Sequence, residues 1–349
     1  MSFRSVVSAS WVLIFAVGCS SSTGEEVPGD ETGTGDDTGA PLDDSGTGPD
    51  GAPSDAASTD TGTATDAPPA DTKPVDPPPV PGAVYGAKCT GWDANEQKAW
   101  EEIAIVRGKL SMGALDCIDP IMKAGRAHSN YIQANGGGLT HTEDASKPGY
   151  TGVQFWDRMK AAGFTGPGSA MFEVVHSIPE AHGAILGEGG WINTLYHRIP
   201  FVSYGAKGYG FGASTKASTI DFSSGGAKPA AGALATWPVD GDTAIWTTFR
   251  CASEVPNPLP GQTFAGYPIS LTASGALAIT EHTVEGDAGA LDHVLLMKGK
   301  DSTGLIPADQ VYLIPKAPLK ASTKYTVKIA GTSGGAAFSK TWVFTTGTK

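Results

Sequence analysis

Five of the seven histidines of this 349-residue chain fall between His128 and Gly212. That stretch reads AHSNYIQANGGGLTHTED, then GYTGVQFWDRMKAAGF, then MFEVVHSIPEAHGAILGEGGWINTLYHRIPFVSYGAKGYGFG. Three of its side chains have types that can meet in one centre: His141 after a Gly-rich turn, Glu173 after a Gly/Pro loop, and His197 at the end of a helical pattern. Two neutral imidazoles and a carboxylate with an open position suit a water-bearing divalent cation, or acid/base work. Glu173 stands among Met171, Phe172, Val174 and Val175, and a buried carboxylate demands a cation, donors or a metal. A salt bridge to Arg158 or Arg198 is the plainer explanation. His128 lies on or beside the apolar face of a helix and reads first as a core histidine with one hydrogen bond. The chain has no H-E-x-x-H helix, no G-x-S-x-G elbow and no cysteine next to these histidines, which removes the common signatures of hydrolytic chemistry.

The elements that must position these groups follow from periodicity. Apolar Trp100, Ile103 and Ala104 recur at helical spacing from Trp92 to Val106, with Asp93 or Asn95 as cap. A second helix starts at Asp119-Pro120 and runs through Ile121, Met122, Ala124, Ala127, Tyr131 and Ile132 until NGGG stops it. The segment TGVQFWDRMKAAGF is a third, with Phe155, Trp156, Met159 and Ala162 facing inward and Gly163 as its stop. A fourth is expected through PEAHGAILGEGGWINTLYHR, and MFEVVHS and KGYGFGAS read as strands.

The N-terminal quarter has another texture. Arg4 and the apolar run WVLIFAVG make a secretory signal of residues 1–18, too short to span a bilayer. The following AVGC resembles the lipobox of bacterial lipoproteins, which implies lipidation of Cys19 and a stable membrane anchor. Residues 19–82 are expected to be a disordered acidic tether: 20–82 hold no aromatic residue and fourteen acidic residues against Lys73 alone. Residues 83–349 are balanced at 22 basic and 22 acidic residues; without a basic stripe, nucleic acid is not an expected partner. Of the remaining cysteines, Cys89 and Cys117 flank one helical segment and are the expected disulfide. Cys251 is then left odd and buried; the alternative is a bridge through Cys251 linking two domains.

Residues 95–213 resemble the CAP superfamily of cysteine-rich secretory proteins, antigen 5 and pathogenesis-related proteins, in its compact bacterial, SCP-like form. The likeness rests on LTHTE (His141), DRMKAAGF, FEVV (Glu173), YHRIPFV (His197) and GYGFG, in that order. It implies an α-β-α sandwich with a cavity lined by two histidines and two acids that takes zinc or another divalent cation. His141, Glu173 and His197 fall on three of those positions. The fourth, an acid on the helix before the last histidine, falls nearest to Glu188, with Glu143 and His128 as further cavity residues. Phe172 and Val174 replace the family's glycine and asparagine around Glu173, a departure that bears on metal affinity rather than on fold.

From residue 228 onward, short runs such as AIWTTFR, YPISLTA, ALAIT, HVLLMK, VYLIP, KYTVKIA and SKTWVFTT alternate with Gly, Pro, Asn and Ser, the texture of a β-sandwich. WPVDGDTAIWTTF, EVPNPLP and the closing PLKASTKYTVKIAGTSGGAAFSKTWVFTT resemble Ig-like modules of bacterial surface proteins. His282 and His293 read as single structural or exposed residues there. The expected fold is therefore α+β: a CAP-type sandwich over 83–215 followed by an all-β Ig-like sandwich over 228–349. The expected function is that of an exported, lipid-anchored envelope protein that binds a small apolar, glycan or cell-wall ligand. A metal-dependent hydrolase of peptides or cell-wall polymers is the alternative.

Overall fold

Asp93 starts the first regular element by the reciprocal capping that its spacing from Glu96 allows. Its carboxylate accepts from the Glu96 amide at 2.8 Å and Glu96 reaches back to the Asp93 amide at 2.8 Å, opening α1 (Ala94–Lys109). The computed structural model describes residues 79–349 apart from 167 and 228, together with the backbone of 17–19. The signal segment ahead of residue 17, the tether and the side chain of Cys19 lie outside the described residues. Residues 79–349 fall within one compact unit.

Pro120 sits in the first turn of α2 (Asp119–Ala134), and α3 (Phe155–Ala161) ends before Gly163, whose φ of 94° suits only glycine. Trp156 on α3 is 41% exposed, contrary to the inward orientation expected of it; Phe155, Arg158 and Met159 supply the buried face of that short helix. The expected fourth helix is also corrected. Only α4 (Ala181–Leu186) forms, because Gly187, Gly189 and Gly190 follow and Gly189 adopts φ 70°. Asn193 then caps the orphaned carbonyls of Leu186 and Gly187 at 2.9 and 2.8 Å. From there to Ser203 the chain runs through one 3-10 turn (Trp191–Asn193) and irregular turns, all of it buried.

A mixed sheet carries these helices. Its strands are β1 (Val17–Cys19, backbone only), β2 (Asp116–Cys117), β3 (Ala170–His176), β4 (Ala206–Ala213) and β5 (Ser218–Ser224), in the order β2-β4-β5-β3-β1. β3, β4 and β5 run antiparallel, while β2 is parallel to β4 and β1 parallel to β3. The glycines of GYGFG bring α2 onto β4: a Cβ at Gly210 or Gly212 would lie 2.0 Å from the amide nitrogen of Met122 or Arg126. β5 pairs with β3 and β4, so this sheet extends past residue 215. A Cys89–Cys117 disulfide ties the segment before α1 to β2, and Cys251 is free and buried.

The second half is all β: β6 (Leu234–Trp237), β7 (Asp242–Ile245), β8 (Thr248–Phe249), β9 (Glu254–Val255), β10 (Ala265–Gly266), β11 (Ile269–Ala273), β12 (Leu277–Gly286), β13 (Gly289–Ala290), β14 (His293–Met297), β15 (Gln310–Pro315), β16 (Lys324–Ser333) and β17 (Ala336–Thr346). One sheet has the order β14-β15-β11-β6 and the other β13-β12-β16-β17-β7; β8 pairs with β10, and β9 borders β1. The late pair β16–β17 forms a ten-residue antiparallel ladder. β16 alternates, with Tyr325, Val327 and Ile329 buried between partly exposed neighbours, the pattern of a sheet with one wet face. Every residue of β11 and β15 is buried, so that sheet is covered on both faces. Part of its cover is the 191–203 segment. Arg198 donates to the Pro268 carbonyl at 2.7 Å and to Ser270 Oγ at 3.2 Å, and Gln310 donates to the Ile199 carbonyl at 3.1 Å. The architecture is α+β, with helices and the mixed sheet in the first half and the two large sheets in the second.

The two histidines expected to stand singly in the second half in fact meet. His282 Nδ1 lies 2.8 Å from His293 Nε2, and His293 Nδ1 donates to the Leu291 carbonyl at 2.8 Å. The turn through β13 folds the chain back and closes a gap that sequence distance hides.

Candidate functional site

His141 sits on the loop that follows α2, where Gly136 and Gly137 take φ values of 97° and 88°, and this turn brings the loop back over β3. His141 Nδ1 lies 2.8 Å from Glu173 Oε1, and Arg158 of α3 binds the other oxygen, Oε2. Arg158 also donates to the carbonyls of His141, Gly152 and Val153 at 3.2, 3.4 and 3.3 Å. One buried guanidinium therefore ties the loop to the strand. Burial by itself would raise the Glu173 carboxyl, but Arg158, then His128 and His141, outweigh it and hold Glu173 below the carboxylate range. Burial lowers the His141 imidazole; Glu173 opposes this, and the like charges of His197 and His128 add to it. His141 is thus neutral with its proton on Nδ1. Its Nε2 is buried with no hydrogen-bond partner among the described residues.

His197 lies in the buried irregular segment after α4. Its Nδ1 lies 2.9 Å from Glu254 Oε1, a carboxylate from β9 in the second half. The same oxygen accepts the amides of Leu195, Tyr196 and His197 at 3.1, 2.7 and 3.3 Å. Both candidate imidazoles therefore stand against a carboxylate through Nδ1, the arrangement that fixes a histidine's tautomer with Nε2 as its basic nitrogen. A protonated His197 would add to the depression of His141.

The remaining expected residues fall around this pair. His128 is fully buried: Nε2 donates to the Thr140 carbonyl at 2.7 Å and Nδ1 meets Glu143 Oε1 at 2.9 Å. Both of its ring nitrogens thus face an oxygen. Glu143 is also bound by the Thr151 amide at 2.6 Å; burial raises its carboxyl, and His128 with Thr151 brings it net below the ordinary value. This pair braces the His141 loop. Glu188 is exposed in the turn after α4; the acid that meets His197 is Glu254. Nothing local to CASEVPNPLP marks Glu254 except an acid flanked by apolar residues, so sequence reasoning missed it. His176, at the end of β3, accepts from the Ile178 amide at 2.9 Å and meets the Gly189 carbonyl at 3.3 Å. Burial pushes it down to about 4, with His197 adding to the depression.

These residues bear on a divalent cation in a specific way. Among the described residues no three His, Cys, Asp or Glu side chains are grouped to hold a metal. Glu173 has one oxygen on His141 and the other on Arg158, so it serves as the carboxylate behind a histidine. The donor chemistry that remains is imidazole: the orphaned Nε2 of His141 and, by its tautomer, Nε2 of His197. That set fits a borderline cation such as zinc when ligand or solvent oxygens complete its coordination. It equally fits a ligand hydroxyl that donates to one imidazole.

No protein-family model matches the chain, and no curated protein matches it. Among solved structures, the crystal structure of an extracellular protein containing an SCP domain from Bacillus anthracis str. Ames is similar with 20% identity and a TM-score of 0.32. The match covers 38% of this chain and 40% of that one, so the chain spans less than half the length of the structure it matches.

Proposed function

We propose that the chain is an exported, lipid-anchored envelope protein whose first half is a CAP-like binding module. The region around His141 and His197 takes a small apolar, glycan or cell-wall ligand, with a divalent cation as an optional third party. The observation that carries this reading is the buried, unpartnered Nε2 of His141, whose Nδ1 is held by Glu173. A buried polar atom without a partner costs about 1–3 kcal/mol, a cost that a bound ligand or cation removes. His141 and His197 would hold the cation, which when bound would supply Lewis acidity.

Binding is favoured over hydrolysis by the state of the acids. Glu143 and Glu173 each accept two or more hydrogen bonds and are held below the ordinary carboxylate range, which lowers their basicity toward a water. Burial raises the thiol of Cys251, the free cysteine, which disfavours a thiolate nucleophile. Export is supported by the Cys89–Cys117 disulfide, a bond of oxidising compartments. Anchoring is supported by the AVGC run at Cys19.

Soluble muropeptides and palmitate, each titrated calorimetrically into the full chain, test the ligand class, with mass spectrometry of the recovered compound testing turnover. Saturable binding of one class with unchanged mass, lost in His141→Ala, is the expected result. Cleavage of the muropeptide that disappears in His141→Ala would replace the binding reading with the hydrolase.

A further inference from the structure

Gly190 to Ser203, which carries His197, is buried throughout yet holds no regular element beyond one 3-10 turn. Buried irregular backbone must find partners for its amides and carbonyls, and here the second half supplies many of them. Glu254 takes the amides of Leu195, Tyr196 and His197. Asp301 accepts from Tyr196 Oη at 2.8 Å, and Tyr267 donates to Asn193 Oδ1 at 2.7 Å. With Arg198 on Pro268 and Gln310 on Ile199, the segment is held at every residue from Asn193 to Ile199 save Thr194.

We propose that Glu254 is the positioning residue of His197, so that His197 is oriented only when the β-rich half is packed against the first half. Three backbone amides fix the carboxylate, and the carboxylate fixes the ring through Nδ1 at 2.9 Å. His197 thereby takes the same Nδ1-protonated form that Glu173 imposes on His141, although Glu173 is local to the first half and Glu254 is 57 residues away in sequence. The second half is in this sense a working part of the site. This inference rests on the proposed function only for what the oriented ring is used for; the orientation itself stands on the hydrogen bonds.

The test uses the full chain labelled with nitrogen-15, and cobalt(II) as a visible-spectrum probe of imidazole binding. His197 is expected as the Nδ1–H tautomer in the native chain. Glu254→Gln keeps an oxygen acceptor and should keep that tautomer and near-native cobalt affinity. Glu254→Leu removes the acceptor and Glu254→Asp withdraws it by one methylene; both should move His197 toward the Nε2–H tautomer and weaken cobalt binding about tenfold to a hundredfold, the range for loss of an outer partner. Should Glu254→Leu fail to fold, as judged by near-UV circular dichroism, Glu254→Asp decides. An Nε2–H tautomer in the native chain, or folded Leu and Asp variants with native tautomer and affinity, would overturn the proposal. Absence of cobalt binding by the native chain counts against the cation reading alone, because the tautomer comparison still decides the role of Glu254.

Discussion

Glu173 and Asp221 face each other across the β3–β5 pair, both buried, and their carboxyl groups are pushed in opposite directions. Arg158 holds Glu173 ionised, whereas burial and the charge of Glu173 push Asp221 well above its ordinary range and keep it neutral. Two carboxyls in one dry site cannot both ionise without a second cation.

This asymmetry predicts unequal mutants. Asp221→Asn replaces a neutral acid by a neutral amide and should change stability by about 1 kcal/mol or less, as a shape-conserving swap does. Glu173→Gln removes the nearest counter-charge of Arg158, leaving Glu143 at 3.8 Å, and should cost about 3 kcal/mol, the lower end for a broken buried pair. Urea unfolding at pH 7 compares them. Equal losses for the two would contradict the assigned charges.

Acid should weaken the fold through its depressed histidines before it reaches the carboxylates. His176 sits at about 4 in the folded chain against an ordinary 6.5. A histidine lowered on folding binds its proton more readily when unfolded, so its share of stability is intact above about pH 6.5 and falls as pH drops from there toward about 4. For the buried His176 that share is about 3 kcal/mol at most. Glu173, lowered in the folded state, gives stability that persists above the ordinary carboxylate range and is lost at still lower pH. His176→Gln should flatten the decline between pH 6.5 and 4; an unchanged pH profile would exclude His176 as its source.

Reduction offers a third check. The Cys89–Cys117 bond closes a sequence separation of 28 residues, for which loop entropy gives about 3.5 kcal/mol of stabilisation. Dithiothreitol should lower the urea midpoint accordingly, and Cys89→Ser with Cys117→Ser should reproduce the shift. Cys251→Ser should keep the full redox dependence, because Cys251 is free and the Cys89–Cys117 bond remains.

Anchoring is tested by Cys19→Ser. The acidic, polar 20–82 segment offers a membrane nothing to hold, and no helix among the described residues is long and apolar enough to cross one. The variant should therefore move from the membrane to the soluble fraction on sedimentation. Persistent membrane association would remove the lipid anchor from the account.

What the sequence made legible was local. Asp93 or Asn95, Asp119-Pro120 and Gly163 marked helix ends, with Asp93 proving to be the cap, and the GYGFG glycines marked the strand onto which α2 packs. Alternation in KYTVKIA and TWVFTT marked paired strands. His141 with Glu173 was legible because a strand carboxylate among apolar residues demands a partner. Tertiary choices were not. Glu254 reaches His197 through the docking of the two halves, Trp156 escapes burial because α3 is two turns long, and the fourth helix yields to three closely spaced glycines. His282 and His293 meet through a hairpin register that no periodicity reports.

The most direct measurement of the central claim is titration of cobalt(II) or zinc into the metal-free full chain and into His141→Ala, His197→Ala and His282→Ala, above pH 6.5 where histidines compete least with protons. If the two imidazoles form one ligand-facing pair, the native chain and His282→Ala should bind alike, and either cleft variant should lose binding by a hundredfold or more, roughly the loss expected when one of two protein ligands goes. Equal affinity in all four proteins would contradict it.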